Sequence, residues 1–201
     1  MKQKLIFQGA EARVYLIDKK VLKQRISKSY RHPNLDESLR KSRTKKEAKI
    51  LEKAISLKIN VPNIIKQDKF DLEIEYISGE KLSDNLNFYS KEKQNNVIKE
   101  AGKQISLLHK NDIIHGDLTT SNMILSKENK VSIIDFGLGY ISKKIEDKAV
   151  DLHLIKQALE AKHFKNHEEL FKNLIKNYKS KDSKKVLERL KAVEKRGRYK
   201  H

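Results

Sequence analysis

Two short motifs, His115-Gly116-Asp117 and Asp135-Phe136-Gly137, flank Asn122, which follows Asp117 by five residues and precedes Asp135 by thirteen. Each piece alone is ordinary, since Asp after an apolar strand forms turns and Asn in a loop caps helices. A turn has no need of that order and spacing. Together the motifs confine the chain to a loop and hairpin that gather two carboxylates and an amide. Such a set suits phosphoryl transfer, where charge placement matters more than covalent assistance. Asp135, at the end of the apolar run Val131-Ser132-Ile133-Ile134, is expected to hold Mg2+ against nucleotide phosphate oxygens, with the side-chain oxygen of Asn122 completing the metal shell. Asp117 is expected to orient the attacking hydroxyl or water, or to take its proton. His115, closing an apolar strand, reads as a packed residue that braces Asp117 or Phe136.

The rest of the chain supplies a frame for that loop. Alternating apolar residues predict three antiparallel strands over Leu5 to Gln8, Ala12 to Ile17 and Val21 to Arg25. A long helix is predicted from about Asp36 to Leu57, ending before Pro62, and two further strands over Ile64 to Gln67 and Asp71 to Tyr76. Ser78-Gly79 reads as a flexible break. Beyond it, Val97, Ala101, Ile105 and Leu108 form one stripe of a helix over Lys91 to Lys110. Ile113-Ile114-His115 reads as a short buried strand, and Met123 to Leu125 pairs with Val131 to Ile134 in a hairpin. Helices over about Ala149 to Phe164, His167 to Tyr178 and Ser183 to Arg196 complete an α+β fold. The organisation expected is an N-terminal lobe over 1–77, a catalytic lobe over 78–195 and a flexible basic tail over 196–201.

Composition narrows the partners. Lys and Arg number 45 against 27 Asp and Glu, a net charge of +18, which favours nucleotides, nucleic acid and acidic proteins. The terminal Arg196-Gly197-Arg198-Tyr199-Lys200-His201 has no apolar periodicity and reads as a segment that meets phosphates. The absence of Cys excludes disulfide frameworks and thiolate metal sites and suits the reducing cytoplasm. No stretch approaches the roughly 18 apolar residues of a membrane span, so a membrane is not an expected partner.

His115-Gly116-Asp117-Leu118-Thr119-Thr120-Ser121-Asn122 and Ile134-Asp135-Phe136-Gly137 resemble the catalytic and metal-binding loops of the protein-kinase superfamily. The resemblance implies a reduced two-lobed kinase-like fold with ATP and Mg2+ as cofactors. It assigns Lys23, in Val21-Leu22-Lys23 on the third strand, to the α and β phosphates, in preference to Lys19 and Lys20 in the turn. Val21 would line the adenine pocket. Glu47 is the implied acid partner of Lys23, ahead of Glu37 and Glu52. Gly9 would let backbone amides approach phosphate, and Glu75-Tyr76-Ile77 would offer backbone groups of Glu75 and Ile77 to adenine.

Tyr30-Arg31-His32-Pro33-Asn34-Leu35-Asp36, Leu39 and Arg43-Thr44-Lys45-Lys46-Glu47-Ala48, with the small size and basic ending, are similar to the small atypical kinase subunit of the KEOPS complex, the PRPK family. This resemblance implies an ATP-hydrolysing or autophosphorylating Ser/Thr kinase that supports threonylcarbamoyl modification of tRNA adenosine. It also implies a transferase subunit and a small helical activator as partners. The chain departs from ordinary protein kinases in Gln8-Gly9-Ala10-Glu11-Ala12, which keeps one glycine. It also lacks an Ala-Pro-Glu element in the fourteen residues from Gly137 to Asp151. Asp151 reads equally as a brace of the catalytic-loop backbone and as a helix cap. Two alternatives are a small-molecule kinase of the aminoglycoside or choline type and a non-catalytic scaffold for RNA or protein. The short path from hinge to catalytic loop and the lack of an acidic pocket argue against the first, and the intact Lys23, Asp117, Asn122 and Asp135 against the second.

Overall fold

The computed structural model describes residues 3–198, which divide between Ile77 and Ser78 into two compact units. In the first, β1 (Gln3–Gln8), β2 (Ala12–Ile17), β3 (Lys20–Arg25), β4 (Ile64–Gln67) and β5 (Asp71–Glu75) form one antiparallel sheet in the order β1-β2-β3-β5-β4. β3 therefore sits at the centre, paired on both sides.

Helix α1 (Pro33–Ser56) packs against β4 and β5. Its buried Thr44, Glu47, Ala48, Leu51 and Ala54 recur at three- and four-residue steps and form the inner stripe. It begins at Pro33, upstream of the expected Asp36, because proline's fixed φ and missing N–H suit the first helical position. Asp36 is instead a buried first-turn residue that accepts from Ser27 Oγ (3.0 Å), the Lys28 amide (3.2 Å) and Arg40 Nε (2.7 Å). Burial pushes its carboxyl up, but these bonds outweigh burial and hold it below the usual carboxylate range.

The second unit is mostly helical. β6 (Gly79–Lys81), β8 (Met123–Ser126) and β9 (Val131–Ile133) form a three-stranded sheet, and β7 (Ile113–Ile114) pairs with β10 (Tyr140–Ile141). Around them lie α2 (Leu82–Asn85), α3 (Lys91–Lys110), α4 (Ile145–Lys162), α5 (His167–Asn177) and α6 (Ser183–Arg198). Ser90 caps α3 by accepting from the Lys93 amide. Gly102 admits the backbone of α5, since a Cβ there would lie 2.6 Å from the Leu174 carbonyl oxygen.

Four expectations are corrected here. The break expected at Ser78-Gly79 falls where the chain divides, but Gly79 itself is held in a strand: it pairs with Ser126 as the first residue of β6, and a Cβ there would lie 2.2 Å from the Leu125 carbonyl oxygen. Helix α4 starts at Ile145, ahead of the expected Ala149, with Glu146 and Asp147 favouring its N-terminus, so Asp151 lies inside the helix and does not cap it. The same helix ends at Lys162, leaving Phe164 outside and exposed. Helix α6 continues to Arg198, so 196–198 are helical and not a loose tail. Glu146 fixes this end by accepting from both Arg189 and Arg196. Tyr199, Lys200 and His201 lie outside the described residues. Among the described residues no helix is long and apolar enough to cross a membrane.

Candidate active site

The loop after β7 is held from beneath by a buried carboxylate. Asp151 of α4 accepts the amide N–H of His115 at 2.7 Å and that of Gly116 at 2.9 Å. It also bonds His109 Nε2 at 3.2 Å, and His109 Nδ1 meets the Tyr178 hydroxyl at 3.0 Å. A carboxylate only accepts, so His109 carries its proton on Nε2 and Nδ1 accepts from Tyr178. Asp151 and His109 are fully buried. Desolvation pushes the Tyr178 hydroxyl far above the usual tyrosine range, which keeps it a donor. Of the two readings of Asp151, the geometry is that of the brace.

His115 is buried against Phe136, with ring centroids 4.8 Å apart. Its Nδ1 accepts the Asp117 amide (3.2 Å) and its Nε2 donates to the Ile134 carbonyl (3.0 Å), tying the loop that carries Asp117 to the strand that delivers Asp135. Between them Gly116 adopts φ +78, and a Cβ would lie 2.5 Å from the Leu138 carbonyl oxygen, so glycine alone fits.

Beyond His115 the chain turns through a short 3-10 segment, Thr120–Asn122. Asn122 Nδ2 donates to the Asp117 carboxylate at 2.9 Å and to its carbonyl at 2.8 Å. The Asn122 carbonyl accepts the Ile134 amide at 2.9 Å, which places Asn122 beside the residue preceding Asp135. Asp135 has φ 63, uncommon for a residue with a side chain, and its Oδ1 accepts the Gly137 amide at 3.1 Å. Asp117 and Asp135 are exposed and Asn122 half-buried, so all three are open to a ligand. The donor set fits magnesium, which takes one or two side-chain oxygens and completes its shell with phosphate and water. The Asn122 amide nitrogen is spent on Asp117, so its oxygen is the atom that could face a cation.

In the first unit, Lys23 Nζ lies 2.8 Å from Glu47 Oε1, while Arg25 Nη2 pairs with Glu47 Oε2. All three side chains are buried. Arg25 escaped the sequence reading, although the two-residue period of a strand puts it on the same face of β3 as Lys23. Val21, on that face too, is half-buried. Gly9 donates its own amide to the Ala12 carbonyl at 3.0 Å, closing the β1–β2 turn. Glu11 of that turn accepts from Arg31 (3.1 Å) and from Arg43 of α1. At the end of β5 the Glu75 amide bonds the Asn63 carbonyl and the Tyr76 amide that of Lys19; Ile77 is half-buried.

A second linkage was not legible in the sequence. His163, at the end of α4, bonds Asn87 Oδ1 through Nδ1 (2.7 Å) and Thr120 Oγ1 through Nε2 (3.3 Å), and so reaches the loop between Asp117 and Asn122. Burial and the neighbouring Lys162 hold its pKa below the ordinary histidine value.

A five-stranded sheet with a buried Lys–Glu pair, followed by a helical unit carrying a braced acidic loop and an acidic strand end, defines a protein-kinase-like architecture. Residues 11–141 match the RIO domain. The chain is 43% identical to the KEOPS complex subunit Bud32 of Pyrococcus abyssi over 98% of its own length and 96% of that protein's. It is 38% identical to a probable bifunctional tRNA threonylcarbamoyladenosine biosynthesis protein of Methanosarcina acetivorans, over 95% of this chain and 35% of that one. A crystal structure of the Rio2 kinase from Chaetomium thermophilum, in an ADP/Mg2+-phosphoaspartate complex, has the same fold. It superposes with a TM-score of 0.63 at 16% identity, covering 97% of this chain and 70% of that one. The chain belongs to the RIO-domain family of kinase-like proteins, among the relatives of Bud32, in keeping with the resemblance drawn from Tyr30 to Ala48 and the two acidic motifs.

Proposed function

We propose that this chain is an ATP- and magnesium-dependent atypical Ser/Thr kinase and ATPase that supports threonylcarbamoyl modification of tRNA adenosine within a KEOPS-type complex. The observation that carries the reading is the Asn122 clamp on Asp117, formed in the same loop system that presents Asp135. It fixes an exposed carboxylate suited to accept a proton and orients an amide oxygen for a cation.

In this reading Lys23, aimed by Glu47, holds the α and β phosphates, while Val21 and the backbone of Glu75 and Ile77 receive adenine. Gly9 keeps the β1–β2 turn tight enough for backbone to approach phosphate. Mg2+, held by Asp135 and Asn122, supplies charge neutralisation on the phosphates. Asp117 orients the attacking oxygen and takes its proton. The stretch between Gly137 and Asp151 is occupied by β10 and the start of α4, which leaves no broad platform for peptide substrates. The acceptor is therefore water or a serine hydroxyl presented by this chain or a bound partner.

The names of the relatives support the setting. The Pyrococcus protein is a KEOPS subunit, and the Methanosarcina protein joins a segment like this one to a longer chain in tRNA threonylcarbamoyladenosine biosynthesis. A transferase subunit and a small helical activator are the partners, the cytoplasm is the compartment, and the +18 surface contacts tRNA phosphates. The test is ATP turnover by the purified protein with and without Mg2+. Asp117→Asn should lower kcat by about a hundredfold or more while ATP binding persists. Undiminished turnover in that variant would remove Asp117 from its role.

A further inference from the structure

The Lys23–Glu47 pair has a third member that the reaction as described does not use. Strand periodicity sets Arg25 two residues beyond Lys23 on one face of β3, and both cations reach the same carboxylate from opposite sides. Lys23 takes Oε1 and Arg25 takes Oε2. Lys23 and Arg25 are 8% and 7% exposed and Glu47 is 2% exposed, so solvent cannot replace either cation. The Arg25 backbone is equally fixed, pairing with Ala12 across the sheet and donating its amide to the Phe70 carbonyl at 3.1 Å.

A buried carboxylate with one cationic partner presents a difficulty to a phosphate-binding lysine. Each hydrogen bond that the ammonium turns toward a nucleotide weakens its hold on the glutamate, and a buried carboxylate stripped of its partner is costly. The pair would resist the ligand it is meant to bind. A guanidinium on the other oxygen removes that conflict, because it stays charged and keeps its planar donors in place whatever the lysine does.

We propose that Arg25 is a positioning residue for nucleotide binding: it holds Glu47 in place through Oε2, so that Lys23 can share its ammonium between Glu47 and phosphate without leaving the carboxylate uncompensated. This inference rests on the ATP-dependent reading above and adds to it a residue that touches neither nucleotide nor acceptor. Its effect is confined to the ground-state grip on ATP, since the groups that act on the transferred phosphate belong to Asp117, Asn122 and Asp135.

Steady-state ATP turnover and binding of ADP are to be measured in the wild type, Arg25→Gln, Arg25→Lys, Glu47→Gln and the double variant Arg25→Gln/Glu47→Gln, with thermal unfolding as a check on folding. Arg25→Gln should raise KM for ATP and Kd for ADP by about tenfold with kcat within about twofold, and Arg25→Lys should restore most of the affinity. In the Glu47→Gln background the Arg25→Gln change should add nothing, because the residue it supports is already gone. Independent, additive losses from the two substitutions, or a fall in kcat at unchanged KM, would overturn the proposal. If Arg25→Gln does not fold, Arg25→Lys decides: ADP binding and KM unchanged from those of Glu47→Gln when it is added in that background support the proposal, and a further loss there overturns it. A wild-type protein that binds neither ATP nor ADP overturns the ATP-dependent reading itself, whereas a wild type that binds them as well as Arg25→Gln does overturns only the role of Arg25.

Discussion

Asn122 grips Asp117 twice through one nitrogen, at 2.9 Å to the carboxylate and 2.8 Å to the backbone carbonyl. In the proposed function the amide positions the base while its oxygen is left for a cation, so one side chain would serve both proton transfer and metal binding. Asn122→Ala should lose both roles. The expected result is a fall in kcat of about a hundredfold or more and a higher Mg2+ requirement. Asn122→Asp should recover metal affinity but not kcat, because it puts a second carboxylate against Asp117. Turnover measured across a magnesium titration separates the two effects.

Asp151→Ala strips the acceptor from the amides of His115 and Gly116 and from His109, all inside the second unit. Leaving such buried donors unpaired should cost about 3 kcal/mol or more, read as a drop in denaturation midpoint. Asp151→Asn should lose less stability while disturbing the loop, so turnover should fall further than the midpoint implies.

Gly116→Ala tests the backbone itself. With φ +78 and the Leu138 carbonyl 2.5 Å from the Cβ position, the substitution forces the loop to move. A loss of about 1–3 kcal/mol is expected from backbone strain, with turnover nearly abolished. Chemical denaturation and ATP hydrolysis on the same preparation check both.

His163 predicts a pH dependence. Burial, with Lys162 beside it, lowers its pKa from the ordinary 6.5, so the unfolded chain takes up this proton first as the medium acidifies. Stability from this site is present above about pH 6.5 and is lost as the pH falls below that value and through the depressed folded one. Unfolding midpoints across that range should fall more steeply for the wild type than for His163→Gln, which keeps polar contact without a titrating ring.

The acidic motifs were legible because phosphate chemistry demands particular residue types at close sequence intervals, and the sheet and long helices because their apolar periods are strong. What stayed hidden depends on partners far apart in the chain. Asp151 meets His115 across 36 residues and His163 meets Thr120 across 43, and no local pattern announces either contact. Gly79 reads as part of a flexible break because glycine usually marks one, whereas its place is set by Leu125 in a strand more than forty residues on. The ending was misread for a related reason: Arg196 lacks an apolar stripe, but Glu146 in another helix gives it a partner.

Helix α1 is fastened through its N-terminal half to the sheet and its connecting segments: Asp36 to Ser27 and Lys28, Arg43 to Glu11, and Glu47 to Lys23 and Arg25. Swinging it outward, the usual way a kinase is switched off, would tear three polar anchors loose at once. Bolted in this way, α1 is expected to move with β3 as one rigid piece.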